Sequence, residues 1–248
     1  MTISPCRTLS VQVRRAGESG QMKVGVLCSG GKDSLFACMC AMQEEEVACL
    51  ITVFPDNPES YMFHTPNLHV VRLQARAAGI PLVAGTSRGR EEEELADLSR
   101  TVAEAVERHG IEGVVTGALQ SVYQASRVQA ICRDLDLWCF NPLWYADPGE
   151  YMETLVSSGF DVIVSAVASE PFDRTWLGRR LDRAALQDLR RYAERYGTSL
   201  PGEGGEYETL VLDAPFFRHR IVIGEAEAVW QNFRGVFHVK EAWLEGDA

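Results

Sequence analysis

The sequence has few lysines, no basic tract and no long apolar run. Its formal net charge is −11, so it lacks the clustered positive charge that extended nucleic-acid binding requires. No apolar run approaches the roughly 18 residues that span a bilayer, so the sequence predicts a protein that does not span a membrane. The only lysines are Lys23, Lys32 and Lys240. Because arginine is used almost everywhere else, a lysine at position 32 indicates a specific role.

The seven cysteines do not have the spacing of a metal site. Cys38 and Cys40 form C-x-C, and no cluster of His and Cys has zinc spacing. Buried free thiols in a reducing cytoplasm are therefore expected. The N-terminal segment carries arginines but no apolar core of a signal peptide, so residues 1–21 are predicted to be a disordered leader and the protein to be cytoplasmic.

Strands and helices alternate regularly from Met22 to about residue 140. Apolar runs of strand length are each followed by a helical stretch, the clearest being the acidic-to-basic segment that Gly110 ends. Such alternation predicts an α/β fold, a Rossmann-like parallel sheet with helices on both faces. After residue 145 the pattern loosens into helices and strand-like runs of hairpin character. We therefore predict a first α/β domain over residues 22–145 and a smaller C-terminal α/β domain over residues 146–248.

The sequence S-G-G-K-D-S, residues 29–34, lies between the first predicted strand and the first predicted helix. Its spacing is neither that of a Walker A loop nor that of a dinucleotide fingerprint. Gly30 and Gly31 can turn successive N–H groups inward, the helix adds the positive end of its dipole, and Lys32 adds a full charge. An ordinary strand-to-helix turn with a polar cap is the alternative, but it requires neither the lysine nor both serines. We therefore predict a phosphate-binding turn.

This motif resembles the signature of the PP-loop (N-type) ATP pyrophosphatases, which split ATP into AMP and pyrophosphate. The resemblance implies that six residues hold the pyrophosphate portion of ATP, with Lys32 and Asp33 also catalytic: Ser29, Gly30, Gly31, Lys32, Asp33 and Ser34. It also implies a Mg²⁺ ion that bridges phosphate oxygens. The implied chemistry is adenylation, in which a substrate oxygen attacks the α-phosphorus and AMP becomes the leaving group.

Three further segments narrow the resemblance to one family. They are NPESYMFHTPN (57–67), GALQSVYQASRVQAICRDLDL (117–137) and GEGGEYETL (202–210). Together with SGGKDS, and in this order along the chain, these segments resemble those of the diphthine–ammonia ligase (diphthamide synthase) family. The resemblance covers most of the chain from Met22 onward. The resemblance implies that the protein amidates diphthine on elongation factor 2, with ATP consumed to AMP and free ammonia as the expected nitrogen donor. The acidic composition and the absence of C-x-x-C argue against thiouridine-forming relatives.

The resemblance also implies that the domain over residues 22–145 binds ATP and that the domain over residues 146–248 binds the substrate. It further implies candidate site residues. Gly117 and Gln120 would border the nucleotide, and Arg127 would neutralise phosphate charge, although a surface ion pair is an equally simple role for Arg127. Diphthine carries a fixed trimethylammonium group, which favours aromatic faces and acids. The candidate substrate-binding residues are Tyr61, Phe63, His64, Tyr123, Gln124, Glu203, Gly204, Gly205, Glu206 and Glu208. Loop anchors in a core and a plain acidic hairpin turn are the alternatives for these aromatic and glycine-rich segments.

Two other functions stay open on the sequence alone. One is a PP-loop enzyme that adenylates a tRNA base or a small-molecule carboxylate. The other is a non-catalytic nucleotide-binding module, which the complete SGGKDS motif disfavours because binding alone does not need every one of its groups.

Overall fold

The computed structural model describes residues 20–55, 66–88 and 91–247, without the side chains of residues 91–93 and 124. These residues form two compact units. The first unit contains residues 20–29, 33–55, 80–88 and 91–146, and the second contains residues 30–32, 66–79 and 147–247. Nearly all of the predicted leader lies outside the described residues, so it stays a prediction.

The first unit contains a five-stranded parallel sheet. Its strands are β1 (Lys23–Leu27), β2 (Glu46–Pro55), β3 (Leu82–Ser87), β4 (Gly113–Val115) and β5 (Trp138–Phe140). They lie in the order β3-β2-β1-β4-β5, and every neighbouring pair is parallel. The direction of winding reverses between β1 and β4, and ligands of such sheets bind at this switch point, beyond the carboxyl ends of the strands.

Helices connect these strands, as the alternation of the sequence predicts. They are α1 (Lys32–Glu44), α3 (Glu91–His109) and α4 (Val122–Asp134), while α2 (Val71–Ala78) belongs to the second unit. The α3 and α4 helices share one buried core with the sheet, which includes Ile51, Val83, Val102, Val114 and Ile131. The α1 connection runs in the opposite direction across the sheet, so a right-handed crossover places α1 on the other face. The predicted Rossmann-like α/β fold is confirmed.

The second unit contains a four-stranded antiparallel sheet and its own helices. The elements are α5 (Pro148–Ser157), β6 (Asp161–Val167), α6 (Arg183–Tyr196), β7 (Tyr207–Asp213), β8 (Ile221–Gln231) and β9 (Arg234–Leu244). The strand order is β7-β6-β9-β8. This agrees with the prediction of a smaller α/β part with hairpin character near the C-terminus.

Local sequence signals explain where the helices of the second unit begin and end. The Asp147 carboxylate accepts a hydrogen bond from Glu150 N at the start of α5, and Pro148 fits the first turn because its missing N–H has no helical partner there. Asp182 caps α6 in the same way. Gly79 and Gly197 end α2 and α6 in the left-handed conformation that glycine adopts without a steric penalty.

Two groups of buried side chains hold the second unit together. An aliphatic cluster joins the α2 segment to the sheet through Val70, Ala77, Ile163, Leu210 and Val239. An aromatic cluster joins α6 to β7, with ring centroids 5.1–5.6 Å apart among Phe172, Trp176, Tyr192 and Tyr207. Rings at these separations add attraction beyond the burial of their surface.

Within the described ranges, none of the helices is both long enough and apolar enough to cross a bilayer. Five buried cysteines are free, as expected: Cys28, Cys38, Cys49, Cys132 and Cys139. Cys40 is disulfide-bonded, so the expectation of free thiols is wrong at that residue.

Candidate functional site

The SGGKDS motif forms the connection between β1 and α1, which we call the glycine turn (residues 29–34). Gly30 has a φ of 83°, a left-handed conformation that other residues rarely adopt, and α1 begins at Lys32. The turn therefore lies at the N-terminus of a 13-residue helix, where the positive end of the helix dipole attracts anions. Within the first unit, Ser29 N donates to Ser34 Oγ at 3.3 Å, which joins the two ends of the turn.

Residues of the second unit hold the backbone of the middle of the glycine turn. The Gly30 carbonyl accepts hydrogen bonds from Val211 N at 3.0 Å and from Gln74 Nε2 at 2.9 Å. The Lys32 N–H donates to Thr209 Oγ1 at 3.1 Å. The backbone N–H of Lys32 is therefore engaged by a strand side chain, and the conformation of residues 30–32 is set by α2 and β7.

The Lys32 side chain is buried, with 2% of its surface exposed. Its Nζ donates to the Pro201 carbonyl at 2.6 Å and lies 5.3 Å from the centroid of the Tyr207 ring. Tyr207 is itself fixed, because its hydroxyl donates to the Leu200 carbonyl at 2.8 Å. A carbonyl and an aromatic face both attract a cation, and here they hold the end of the Lys32 side chain in place.

Gly117 follows β4 and lies against the start of α1 within the first unit. A Cβ atom at this position would be 2.6 Å from the backbone carbon of Asp33 and 2.7 Å from Ser34 N. Backbone atoms cannot move aside as a flexible side chain can, so only glycine allows this approach. The structure therefore brings three predicted nucleotide-binding residues, Gly117, Asp33 and Ser34, into contact.

The beginning of α4 carries the other residues predicted to border the nucleotide. Gln120 is exposed just before the helix. The Arg127 guanidinium carbon lies 3.3 Å from the centroid of the Tyr123 ring, and Tyr123 is 40% exposed. The structure thus shows Arg127 stacked on an aromatic ring, an arrangement that neither predicted role for Arg127 had included. The side chain of Gln124 lies outside the described residues.

The second glycine-rich segment forms an exposed turn, which we call the acidic loop (residues 202–206). Glu203, Gly204 and Gly205 are exposed, and Glu208 is exposed at the start of β7. Glu206 differs, because its Oε1 accepts a hydrogen bond from Ser199 N at 2.7 Å. Its Oε2 is buried without a hydrogen-bond partner among the described residues. The other predicted substrate-binding residues, Tyr61, Phe63 and His64, lie outside the described residues.

Burial makes two thiols near these elements unreactive. It raises the pKa of the Cys38 thiol in α1 well above its ordinary value, with the neighbouring Cys28 adding to the effect. Burial also raises the pKa of Cys49 in β2 to about 12. A thiol attacks as the thiolate, so neither residue is a nucleophile at neutral pH.

The described residues offer no preformed metal cage, since no three His, Cys, Asp or Glu side chains converge on one point there. Magnesium in nucleotide sites is bound mostly by phosphate oxygens, with one or two protein carboxylates and water. Asp33 is the carboxylate of the glycine turn and is partly exposed. These residues fit a magnesium ion that is bound together with a nucleotide.

Sequence reasoning missed three residues that hold the glycine turn. Gln74 is fully buried in α2, Thr209 is 3% exposed in β7, and Tyr207 is 2% exposed. A weak signal existed for Gln74, because it lies three residues after Val71 on the buried face of α2, where an amide needs an internal partner. Thr209 lies within the motif GEGGEYETL (202–210), but nothing in that motif indicates its partner Lys32, which is 177 residues away.

The strand order and the glycine turn after β1 define an α/β protein of the Rossmann-like class. Comparison with known families is more specific. The family described as "Diphthamide synthase N-terminal domain" matches residues 22–138, and "Diphthamide synthase C-terminal domain" matches residues 147–244.

Relatives agree with these matches. The diphthine–ammonia ligase of Rattus norvegicus is 34% identical over 228 residues, which cover 84% of this chain and 85% of the relative. That of Schizosaccharomyces pombe is 35% identical over 237 residues, which cover 88% of this chain and 39% of the relative. A solved structure titled as a predicted subunit of tRNA methyltransferase from Methanocaldococcus jannaschii has a TM-score of 0.41 and 18% identity, covering 78% of this chain and 98% of that one. At this TM-score and identity, the likeness says nothing about the function of this chain.

The chain belongs to the diphthine–ammonia ligase family. The family predicted from the four sequence motifs is confirmed, and so is the prediction of an ATP-dependent ligase.

Proposed function

We propose that this protein converts diphthine on elongation factor 2 to diphthamide, with ammonia as the nitrogen source and ATP as the energy source. The observation that carries the proposal is the glycine turn, which combines a helix N-terminus with a buried, oriented lysine in a chain of this family. Relatives named diphthine–ammonia ligase support the choice of substrate. The proposed substrate implies that the protein works in the cytoplasm, where elongation factor 2 acts.

The reaction proceeds in two displacements. A diphthine carboxylate oxygen attacks the α-phosphorus of ATP, so a new P–O bond forms, the bond to the β-phosphate breaks and pyrophosphate leaves. Ammonia then attacks the acyl carbon, the bond to the AMP oxygen breaks, and a proton passes to solvent as the amide forms. Both steps need positioning and charge neutralisation more than covalent catalysis by the protein.

We assign ATP binding to the domain predicted over residues 22–145. The residues proposed to contact ATP are Ser29, Gly30, Gly31, Lys32, Asp33, Ser34, Gly117 and Gln120. Lys32 neutralises charge on the leaving pyrophosphate, and Arg127 lies at the nucleotide with Tyr123. Asp33 and the phosphate oxygens would hold Mg²⁺, which supplies further charge neutralisation when bound.

We assign recognition of the protein substrate mainly to the domain predicted over residues 146–248. The exposed carboxylate of Glu203 and that of Glu208 are accessible to a cationic group, and Gly204 and Gly205 allow a close approach of the backbone. The proposed set of substrate-binding residues is completed by Tyr61, Phe63, His64, Tyr123, Gln124 and Glu206.

Mass spectrometry of elongation factor 2 tests the proposal. The factor carrying diphthine is incubated with this protein, ATP and ammonium, and the peptide with the modified histidine is analysed. Replacement of the carboxyl OH by NH₂ lowers the peptide mass, and ammonium labelled with heavy nitrogen shifts the product accordingly. Reactions without ATP serve as the control.

The rat relative, assayed on the same preparation, shows that the substrate is competent. If the rat enzyme amidates the factor and this protein does not, the proposed substrate is wrong. Conversion of ATP to AMP with tRNA or with a small carboxylic acid would then identify the alternative substrate class.

A further inference from the structure

We propose that Gln74 and Thr209 are positioning residues for ATP, because they hold the backbone of Gly30 and Lys32 in the conformation that binds phosphate. This role rests on the proposed function, since it assumes that the glycine turn binds ATP. Neither residue belongs to the glycine turn or to the acidic loop, and the positioning they provide comes entirely from the second unit.

Gln74 fixes the orientation of the Gly30 peptide group. Its Nε2 donates to the Gly30 carbonyl at 2.9 Å and to the Val211 carbonyl at 2.8 Å. The peptide bond is planar and trans, so fixing the Gly30 carbonyl also fixes the Gly31 N–H, which points the opposite way. A side-chain amide nitrogen has two N–H donors, and glutamate, leucine or methionine at this position would supply neither bond.

The surroundings of Gln74 indicate that these two hydrogen bonds are made at an energetic cost. The residue is fully buried, and its Oε1 has no hydrogen-bond partner among the described residues. An unsatisfied buried acceptor is costly and is uncommon in folded proteins. The two carbonyls that flank Nε2 determine which amide atom faces them, so the unsatisfied oxygen is a consequence of holding Gly30.

Thr209 fixes the other end of the same segment. Its Oγ1 accepts a hydrogen bond from the Lys32 N–H, and two residues further along β7 the Val211 N–H donates to the Gly30 carbonyl. The strand β7 therefore contacts this segment twice, through the side chain of Thr209 and through the backbone of Val211. The hydroxyl thus orients the first residue of α1, whose side chain carries the charge of the site.

Paired substitutions of Thr209 test this role. Thr209→Val keeps the shape of the side chain and removes the hydroxyl, and Thr209→Ser keeps the hydroxyl. We expect Thr209→Val to raise the Kd for ATP by about tenfold, the effect of losing one buried hydrogen bond that orients the site. Thr209→Ser should restore a Kd close to that of the unchanged protein. Calorimetry measures the Kd, and steady-state kinetics should show a raised KM for ATP with little change in the KM for the protein substrate.

Gln74→Met is a second, independent variant that fills a similar volume without the N–H donors. It should also raise the Kd for ATP, and thermal unfolding of both variants establishes that folded protein was measured. An unchanged Kd in either folded variant overturns the proposal. If the unchanged protein itself does not bind ATP, the proposed function is wrong, so the two failures are distinguishable.

Discussion

The glycine turn and the acidic loop both contain two adjacent glycines, yet their surroundings are opposite. Gly30, Gly31 and Lys32 are buried, and hydrogen bonds from α2 and β7 hold the turn. Glu203 and the two glycines after it are exposed. Both segments contain a glycine in the left-handed region, Gly30 (φ 83°) in the turn and Gly205 (φ 77°) in the loop. The difference therefore lies in burial and hydrogen bonding: the backbone of the turn is enclosed and held, whereas that of the loop is accessible.

Loss of the Lys32 ammonium should give the largest effect, because it removes the buried charge of the glycine turn. We expect Lys32→Met, which keeps the length of the side chain, to lower conversion of ATP to AMP by about a thousandfold. Lys23→Met is the matched control, since Lys23 is exposed at the start of β1. Turnover is measured by chromatography of the nucleotides. Near-normal AMP formation by the folded Lys32→Met variant would contradict the assignment of the turn as the ATP site.

Gly117→Ala tests whether the glycine turn tolerates displacement. The added Cβ would lie 2.6 Å from the Asp33 backbone, so the start of α1 must shift. We expect turnover to fall about tenfold or more, because displacement of reacting groups by a fraction of an ångström already lowers rates. Gly20→Ala is the control, as no atom lies within 4 Å of a Cβ at that position. Equal activity of the two variants would show that the turn is not rigid.

The acidic loop should respond in a different kinetic parameter and more weakly. Glu203→Gln removes an exposed charge, and we expect the KM for the protein substrate to rise roughly two- to fivefold with an unchanged KM for ATP. Glu107→Gln removes an exposed charge from α3 and serves as the control. A change in the KM for ATP alone would place Glu203 with the nucleotide and would remove the distinction between the loop and the turn.

The sequence was most informative where strands are buried and continuous. The strand β2 (Glu46–Pro55) contains the continuous apolar run VACLITVF (47–54), and five consecutive positions of this strand are buried. Apolar runs indicate such strands directly. The sequence was less informative for β8 (Ile221–Gln231), because its first apolar run, IVI (221–223), is short. The remaining residues of β8 are mostly exposed and partly charged, and their pairing with β9 is interrupted by bulges, so hydrophobicity does not mark them.

The sequence predicted those site residues that belong to a local motif and did not predict those that act on distant residues. The SGGKDS motif and Gly117 depend on local backbone chemistry, which a short sequence displays. Gln74 and Thr209 act through hydrogen bonds to residues 44 and 177 positions away, and no local pattern reports such partners. Glu206 was predicted to bind the substrate, but one of its carboxylate oxygens accepts a hydrogen bond from Ser199 N, and the sequence does not show this contact.

The hydrogen bonds of Gly30 and Lys32 to β7 also determine when the site can form during synthesis of the chain. Thr209 is 177 residues from Lys32 and Val211 lies further along the chain, so both are translated long after the glycine turn. A growing chain that ends before β7 has the SGGKDS sequence and lacks the strand that shapes it. Contacts between such distant residues form late in folding, so the glycine turn acquires its shape only after β7 has been made.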